Sequence, residues 1–407
     1  MIETSQPMLK GVRVVDLTTV VFGPYCTQLL ADLGADVVKV EAPGSGDAFR
    51  WSAKAAVTPG MAPAFMALNR GKKSVALDLK VEEDRTVLLG LIETADVFVV
   101  NVRGKALERL GLDFASLSLI NPKLVYVHCT GFGQDGPYAD LQAYDDVIQA
   151  ATGTATLLPR TDGDSRPRYL PSLIADKVAG LHAAYAALAA IIHKLRTGQG
   201  QRVEVPMFEA FSSFMLLEHL GGLTFDPPNG PAGYFRQLDP DRQPFPTADG
   251  YISIVAYTDT AWERIFEILE QAEFLVSEGL DTAVKRSRGG ARLYQAIADF
   301  TPAFTTEELL RRCHEQAIPA QPVRDLADIM EDSHLQSVGF FRTREHPSEG
   351  RYVEQAPPIR FDVAIPEACA RPVPDATVPQ SGPQAGTHLH LETASGCGPN
   401  LSSAAEE

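Results

Sequence analysis

Asp176 is the residue of this 407-residue chain whose type and position most directly suggest chemistry. It lies in the segment from Pro171 to Gly180, at or just before the first turn of a long apolar helix. An aspartate at such a place is commonly an N-cap, whose carboxylate accepts backbone N–H groups. The helix dipole also keeps a carboxylate there ionised and nucleophilic, which suits covalent catalysis on an acyl group. The residue alone leaves both roles open.

Two further acids follow Tyr144, immediately before another apolar segment. Asp145 or Asp146 could be a helix cap for that segment. Alternatively, a carboxylate here could share a pocket with Asp176, which would make the pair a candidate for acid and base chemistry.

Positive charge is concentrated in the first part of the chain. The basic residues concerned are Lys39, Arg50, Arg70, Lys72, Lys73, Lys80, Arg103 and Arg109. The segment from Asn101 to Arg103 directly follows a predicted strand, and open α/β sheets bind ligands at the carboxyl ends of their strands. A ligand rich in phosphate would explain this pattern, and solvated surface charge explains it about equally well.

The glycines at 131, 133 and 136 match the spacing GxGxxG and follow a predicted strand. In a dinucleotide-binding fold the third glycine opens a helix whose N-terminus faces a pyrophosphate. Here Pro137 and Tyr138 follow, and the motif lies deep in the chain instead of in the first βα turn. We therefore reject an NAD-linked enzyme. The glycines indicate either a plain turn or a glycine-rich loop near a ligand, since glycine permits close approach of the backbone.

Strands and helices alternate around these residues. Strands are predicted over 12–17, 36–41, 74–79, 97–100, 124–129 and 201–205. Helices are predicted over 25–33, 83–94, 171–196 and 207–220, and a helix with turn-like interruptions over 108–119. This alternation is typical of an α/β fold with a parallel sheet covered on both faces. A loop-rich stretch over 225–250 leads into a smaller α+β segment, with a strand over 251–255 and helices over 260–271 and 305–316.

The overall charge limits the possible partners. The chain has 36 Lys and Arg against 52 Asp and Glu, a formal net charge of −16. So acidic a protein is not expected to bind nucleic acid or an anionic membrane over its surface. We find no apolar run of membrane-spanning length and no secretory signal at the N-terminus, so we expect a cytoplasmic protein. The five scattered cysteines indicate buried, reduced thiols and no metal cluster.

A dispersed series of short motifs resembles the family III CoA-transferases, the CaiB/BaiF group that also contains 2-methylacyl-CoA racemases. The resemblance is strong over about residues 8 to 220 and thinner to about 360. The segments that carry it are 9–17, 23–28, 33–41, 44–47, 69–74, 95–97, 109–111, 121–122 and 196–201. Ordered motifs spread in this way are far more specific than one glycine pattern.

The resemblance implies a Rossmann-like large domain, a smaller α+β domain and an interlocked-ring homodimer. On this basis we expect the large domain over 1–220, the small domain with its linkers over 221–330, a return segment to the large domain over 331–365, and a loosely ordered tail over 366–407. The residues themselves indicate only the α/β part.

The resemblance also assigns site residues. The catalytic aspartate of the family falls on Asp176. The CoA-contacting positions fall on Val21, Phe22, Ala42, Leu77, Lys80, Asn101, Val102, Arg103, Arg109, Tyr144 and Asp145. The formyl-CoA transferase pattern is not kept, because its glutamine, arginine, lysine and glutamate are replaced here by Val21, Ala42, Gln142 and Asp145. We therefore do not expect formate and oxalate as substrates.

Three functions remain open, and we rank a CoA-transferase first. It would move CoA from an acyl-CoA to a free carboxylic acid through aspartyl intermediates on Asp176, with no metal or redox cofactor. A 2-methylacyl-CoA racemase ranks second, because its histidine falls on Tyr144, and a phenol is a poor base near neutral pH. A non-catalytic CoA-binding homologue ranks third.

Overall fold

A six-stranded parallel sheet organises the first half of the chain in this computed structural model, which describes residues 7–361 except the side chains of 287 and 288. The strands are β1 (Arg13–Leu17), β2 (Asp36–Glu41), β3 (Lys73–Ala76), β4 (Val97–Val100), β5 (Val125–Thr130) and β6 (Gln201–Pro206). Their order is β3-β2-β1-β4-β5-β6, and every neighbouring pair is parallel. This order reverses between β1 and β4, where doubly wound sheets bind ligands.

The central strands are buried on both faces. All residues of β4 and β5 are buried, as expected for parallel strands with helices on each side. The helices that cover the sheet or connect its strands are α1 (Phe22–Asp32), α2 (Pro63–Asn69), α3 (Glu82–Glu93), α4 (Gly104–Leu110), α5 (Phe114–Ile120), α6 (Asp145–Ala151), α7 (Leu157–Asp162), α8 (Ile174–Thr197) and α9 (Met207–His219). One hydrophobic core joins the sheet to α1, α8 and α9, and another joins it to α3, α4 and α5. The predicted α/β class with a parallel sheet is confirmed.

Several element bounds differ from the predictions for local reasons. The helix with turn-like interruptions predicted over 108–119 is two helices: α4 ends at Leu110, the following Gly111 has a φ of 67° that favours glycine, and Asp113 caps α5 by accepting the Ser116 N–H. The predicted strand over 74–79 is shorter, since β3 ends at Ala76. Helix α1 begins at Phe22, earlier than predicted, because Pro24 fits within a first helical turn.

Helix α8 corrects the expectation that no apolar segment reaches membrane-spanning length. With 24 residues and a mean hydropathy of 1.4 in its most apolar window, it is long and apolar enough to cross a membrane by length and composition alone. A core helix passes the same test. Ala179, Ala183 and Ala187 are buried in the core that α8 forms with α1 and the sheet, so packing explains the apolar residues on this face of the helix.

The second half of the described chain builds a separate core. A small antiparallel sheet contains β7 (Phe245–Pro246), β8 (Tyr251–Ile254) and β9 (Ala320–Pro322). Its helices are α10 (Asp259–Ile268), α11 (Phe274–Ser277), α12 (Ala283–Arg288), α13 (Gly290–Phe300) and α14 (Thr306–Glu315), and α15 (Ser333–Ser337) follows. The predicted helices over 260–271 and 305–316 correspond to α10 and α14.

A hairpin of β10 (Phe341–His346) and β11 (Gly350–Gln355) follows. Glu349 in its turn accepts the backbone N–H groups of Val57 at 2.7 Å and Thr58 at 2.9 Å, so the hairpin contacts the first half of the chain. The predicted domain bounds at 220, 330 and 365 stay predictions. The tail predicted over 366–407 lies outside the described residues.

Candidate active site

The carboxyl ends of β1 and β4 meet at the point where the strand order reverses. The turn after β1 and the segment after β4 are joined by Asn101: its Oδ1 accepts the Thr19 N–H at 3.1 Å, and its Nδ2 donates to the Thr19 carbonyl at 2.9 Å. Side chains from both segments border two cavities at this edge of the sheet. Ligand sites are expected at this edge.

The first cavity, of about 580 Å³, contains five of the predicted CoA-contacting residues in its lining. These are Ala42, Leu77, Lys80, Val102 and Arg109. Leu77 is buried, whereas Lys80 and Arg109 are exposed. The cavity therefore combines apolar walls with two cations at its surface.

The second cavity, of about 870 Å³, adjoins the first through Val102 and Arg109. Asn101 and Arg103 also line it, so the structure brings together most of the residues that the family resemblance assigned to CoA. Arg103 lies at the N-cap position of α4, with its side chain exposed. The two cavities form the candidate CoA site.

The other basic residues of the early chain are engaged elsewhere. Lys39 pairs with Asp47 at 3.0 Å and Lys72 with Asp16 at 3.1 Å, and all four side chains are almost fully buried. Arg50 binds both oxygens of Glu41, and Arg70 pairs with Asp32. Neither a phosphate ligand nor solvated surface charge explains these residues. The cations that remain at the cavities are Lys80, Arg103, Lys105 and Arg109.

The glycine pattern at 131–136 forms a turn after β5, and Gly131 lines the second cavity, so this turn borders the candidate ligand site. The Gly133 N–H donates to Glu209 at 2.9 Å, and α6 begins only at Asp145. No helix N-terminus follows the third glycine, which agrees with the rejection of a dinucleotide-binding role.

Asp176 lies in the first turn of α8 and is 7% exposed. The interpretation of this residue as an N-cap is wrong, because Leu173 occupies that position and makes no side-chain hydrogen bond. Neither cavity is lined by Asp176. It lies beside the start of α1, where the backbone amide of Phe22 acts on its carboxylate.

Asp145 caps α8 from a different helix. Its Oδ1 accepts the N–H groups of Ala175 at 2.7 Å and Asp176 at 3.1 Å, although Asp145 itself begins α6. Its Oδ2 accepts a hydrogen bond from Gln149 at 2.6 Å. Both oxygens of this buried carboxylate are therefore engaged. The prediction that one of these acids caps the segment after it is wrong, because Tyr144 occupies the N-cap position of α6 and makes no side-chain hydrogen bond there.

Gln149 is a residue that the sequence analysis missed. Fully buried on α6, it accepts the Leu170 N–H at 2.9 Å and donates to the Leu170 and Ser172 carbonyls as well as to Asp145. It thereby holds the chain that enters α8. The only signal in the sequence is a polar residue one helical turn after Asp145 in an otherwise apolar segment.

The pKa of Asp176 is raised from 3.8 to about 7. Burial is the largest cause, the nearby Asp145 carboxylate adds to it, and the Phe22 backbone amide acts in the opposite direction. The expectation that the helix N-terminus keeps this carboxylate ionised is therefore corrected. Near neutral pH the group exchanges between a nucleophilic carboxylate and a neutral acid, a property that is common at active sites.

The remaining predicted residues occupy different surroundings. Val21 is the N-cap residue of α1. Both Val21 and Phe22 are buried, and neither lines the two cavities. Tyr144 precedes α6 with a side chain that is 62% exposed.

Among residues 7–361, no three His, Cys, Asp or Glu side chains are placed to hold a metal ion. Cys26, Cys129 and Cys313 are buried free thiols, and the other two cysteines lie outside the described residues.

Comparisons with known proteins agree on one family. The family described as CoA-transferase family III matches residues 9–376. A succinate–glutarate CoA-transferase of Agrobacterium fabrum is 33% identical over 343 residues, which cover 82% of this chain and 84% of that protein. A succinyl-CoA:mesaconate CoA-transferase of Haloarcula hispanica is 33% identical over 373 residues, covering 89% and 92%. The crystal structure of a CAIB/BAIF family protein from Brucella suis superimposes with a TM-score of 0.76 at 30% identity, covering 90% and 96%.

Proposed function

This chain belongs to CoA-transferase family III, and we propose that it moves CoA from an acyl-CoA thioester to a free carboxylic acid through covalent intermediates on Asp176. The observation that carries the proposal is the buried Asp176 carboxylate, which lies next to a second carboxylate and is poised between its two protonation states near pH 7. Asp145 has both oxygens engaged, so Asp176 is the member of the pair that is available to attack an acyl carbon.

The proposed reaction begins with ionised Asp176. Its carboxylate attacks the thioester carbonyl, breaks the C–S bond, and forms a mixed anhydride with release of CoA thiolate. The thiolate then attacks the aspartyl carbonyl and displaces the donor acid as a carboxylate, leaving an aspartyl-CoA thioester. The acceptor carboxylate then attacks the aspartyl-CoA thioester and releases CoA thiolate, which gives a second mixed anhydride. The thiolate attacks the acyl carbon of the acceptor, which leaves as an acyl-CoA and restores the Asp176 carboxylate. No electron transfer occurs, so the steps require no redox cofactor, and the Asp176 carboxylate is itself the nucleophile, so no metal-bound water is needed.

CoA would lie across the two cavities. The exposed cations Lys80, Arg103 and Arg109 would contact its phosphates, since none has an acidic partner at ion-pair distance within residues 7–361. The apolar wall with Ala42 and Leu77 would hold its uncharged parts. The β1–α1 turn, joined to the second cavity by Asn101, would lead the thioester towards Asp176.

We propose a dicarboxylic acid as one partner of the exchange, because the two relatives named above are transferases for succinate and glutarate and for succinyl-CoA and mesaconate. The racemase alternative is not favoured. It needs an opposing base, whereas the Asp145 carboxylate is occupied by the α8 cap and the Tyr144 side chain is largely exposed.

Trapping with hydroxylamine tests the covalent step. The protein is incubated with a panel of acyl-CoA donors, succinyl-CoA first, and the Asp176 peptide is examined by mass spectrometry. Conversion of Asp176 to its hydroxamate is expected only with a productive donor, because anhydrides and thioesters react with hydroxylamine and free carboxylates do not. Asp146→Asn, which changes an exposed neighbour of Asp145, is the matched control and should still be trapped. Transfer without any label on Asp176 would contradict the mechanism.

We also propose that the chain functions as a homodimer. Helices α8 and α9 expose large apolar side chains, with Leu195 at 79% and Leu217 at 87% exposure. Tyr185, Ile192 and Phe214 add to this face, which a second copy of the chain would cover. Analytical ultracentrifugation at micromolar concentration should give twice the chain mass. The interlocked form of the dimer and a cytoplasmic location stay predictions.

A further inference from the structure

Val20, in the turn between β1 and α1, has a φ of 72°. A β-branched residue is strongly disfavoured in this left-handed region, because its Cβ substituents crowd the backbone. Such a conformation persists only where neighbouring groups hold it, and it is often found at functional sites.

Asp47 makes the decisive contact. Its Oδ1 accepts the Val20 N–H at 2.9 Å, although the two residues belong to different loops. The same oxygen accepts the Phe49 N–H at 2.9 Å, and Oδ2 lies 3.0 Å from Lys39 Nζ. Lys39 also donates to the Thr18 carbonyl at 2.7 Å. This fully buried group of Lys39 and Asp47 therefore contacts the turn at two points.

The turn determines where α1 begins. Val21 is the N-cap residue and Phe22 the first helical residue. Helix α1 packs closely on α8, since a Cβ added at Gly180 would lie 2.9 Å from the Phe22 carbonyl oxygen. Gly180 follows Asp176 by one helical turn and lies on the same face of α8. A change in the turn would therefore move the first turn of α1 relative to Asp176.

We infer that Asp47 is a positioning residue, which holds Val20 in its left-handed conformation and thereby sets the first turn of α1, with its Phe22 amide, against the carboxylate of Asp176. The inference rests on the proposed function of Asp176 as nucleophile. Asp47 lines neither cavity and is not assigned to substrate. If the Val20 contact were lost, the turn would relax to a negative φ and the amide would leave the carboxylate.

Glycine substitution at position 20 separates this role from general support of the fold. Glycine adopts a positive φ without strain and no longer needs Asp47 to hold it. We expect Asp47→Ala to lower kcat more than tenfold, Val20→Gly to stay within threefold of the parent, and the double variant to recover most of the lost kcat. A folded double variant as slow as Asp47→Ala would overturn the inference, because losing the Lys39 partner would then explain the whole effect.

Asp47→Asn provides a second test in case Asp47→Ala does not fold. The amide oxygen of asparagine can still accept the Val20 N–H, while the charge opposite Lys39 is lost. We expect kcat to stay within about fivefold of the parent. A folded Asp47→Asn protein with a kcat loss above tenfold that Val20→Gly does not restore would overturn the inference.

A readout that needs no substrate distinguishes this inference from the proposed function. Carbodiimide coupling of an amine to Asp176, followed by peptide mass spectrometry across pH, reports the protonation of this carboxyl. Loss of the Phe22 amide should move the midpoint to higher pH in Asp47→Ala, and Val20→Gly should return it towards the parent. An unchanged midpoint in Asp47→Ala would overturn the inference even if the parent proved inactive with every donor. Absence of transfer by the parent would contradict only the proposed function.

Discussion

Two groups of buried carboxylates border the β1–α1 turn, and their surroundings are opposite. In the ion-pair group, Asp16 contacts Lys72 and Glu41 contacts Arg50. Burial acts to raise both pKa values, but the cations and their hydrogen bonds outweigh it and leave the pKa of each acid at about 2. In the carboxylate pair, burial and then the negative charge of the neighbouring Asp145 both act to raise the pKa of Asp176, which reaches about 7.

This difference separates structural from chemical roles among residues of the same type. A buried acid with a bound cation stays ionised and is not available to react, whereas an acid held beside another acid can change protonation state near neutral pH. The paired cations are equally unavailable to a ligand. The comparison therefore predicts which substitutions impair the fold and which impair activity.

The largest effect is expected from Asp176→Asn. The amide is a far weaker nucleophile than the carboxylate, so CoA transfer should fall by at least about 10³-fold in steady-state assays. Asp176 is not the cap of α8, so the melting temperature should not fall. Asp146→Asn is the control and should keep activity. A folded Asp176→Asn protein with more than a tenth of parental activity would remove Asp176 from the chemistry.

Lys72→Met tests the ion-pair group. It leaves the buried Asp16 without its closest cation, which should cost about 3–5 kcal/mol in the free energy of unfolding measured by urea denaturation. The neighbouring Lys73→Met breaks an exposed pair with Asp36, for which about 1 kcal/mol or less is expected. Equal losses in the two variants would show that burial does not distinguish these pairs.

Arg109→Ala tests whether the cations without acidic partners at the cavities bind CoA. Arg109 lines both cavities, so losing it should weaken CoA binding by roughly 1–3 kcal/mol in a calorimetric titration. Lys80→Ala should act in the same direction. Lys123→Ala, an exposed change before β5 at the opposite edge of the sheet, should leave the affinity unchanged. Unchanged affinity in both cavity variants would remove the assignment of CoA to these cavities.

Asp145→Asn tests the carboxylate pair itself, with the smallest effect on rate. The asparagine oxygen can still accept the N–H groups of Ala175 and Asp176, but the negative charge facing Asp176 is gone. The pKa of Asp176 should fall, so the acid limb of the kcat/KM profile, which marks loss of the nucleophilic carboxylate below about pH 7, should move to lower pH. A shift to higher pH would contradict the proposed effect of Asp145. Asp145→Ala should in addition cost about 1 kcal/mol through loss of the cap.

The sequence by itself determined the class of fold and the place of the main candidate residue. The alternation of apolar strands with amphipathic helices predicts a parallel sheet, because the spacing of apolar residues within each element can be seen in a short stretch of sequence. The predicted bounds of β2 and β4 match the structure. Short motifs spread over the chain were sufficient to identify the family. They also placed the aspartate candidate at the start of a long helix, where Asp176 is found.

Only the tertiary structure decided what each charged residue does. Asp145 caps a helix that begins 29 residues after it, and Lys72, just before β3, pairs with Asp16 of β1. Such partners come together through the crossovers of the sheet, and no local pattern records them. A carboxylate's pKa depends on burial and on the sign of its nearest charge, both of which are properties of packing. For that reason Asp16 and Asp176 look alike in the sequence, and only the fold keeps one ionised and leaves the other able to react.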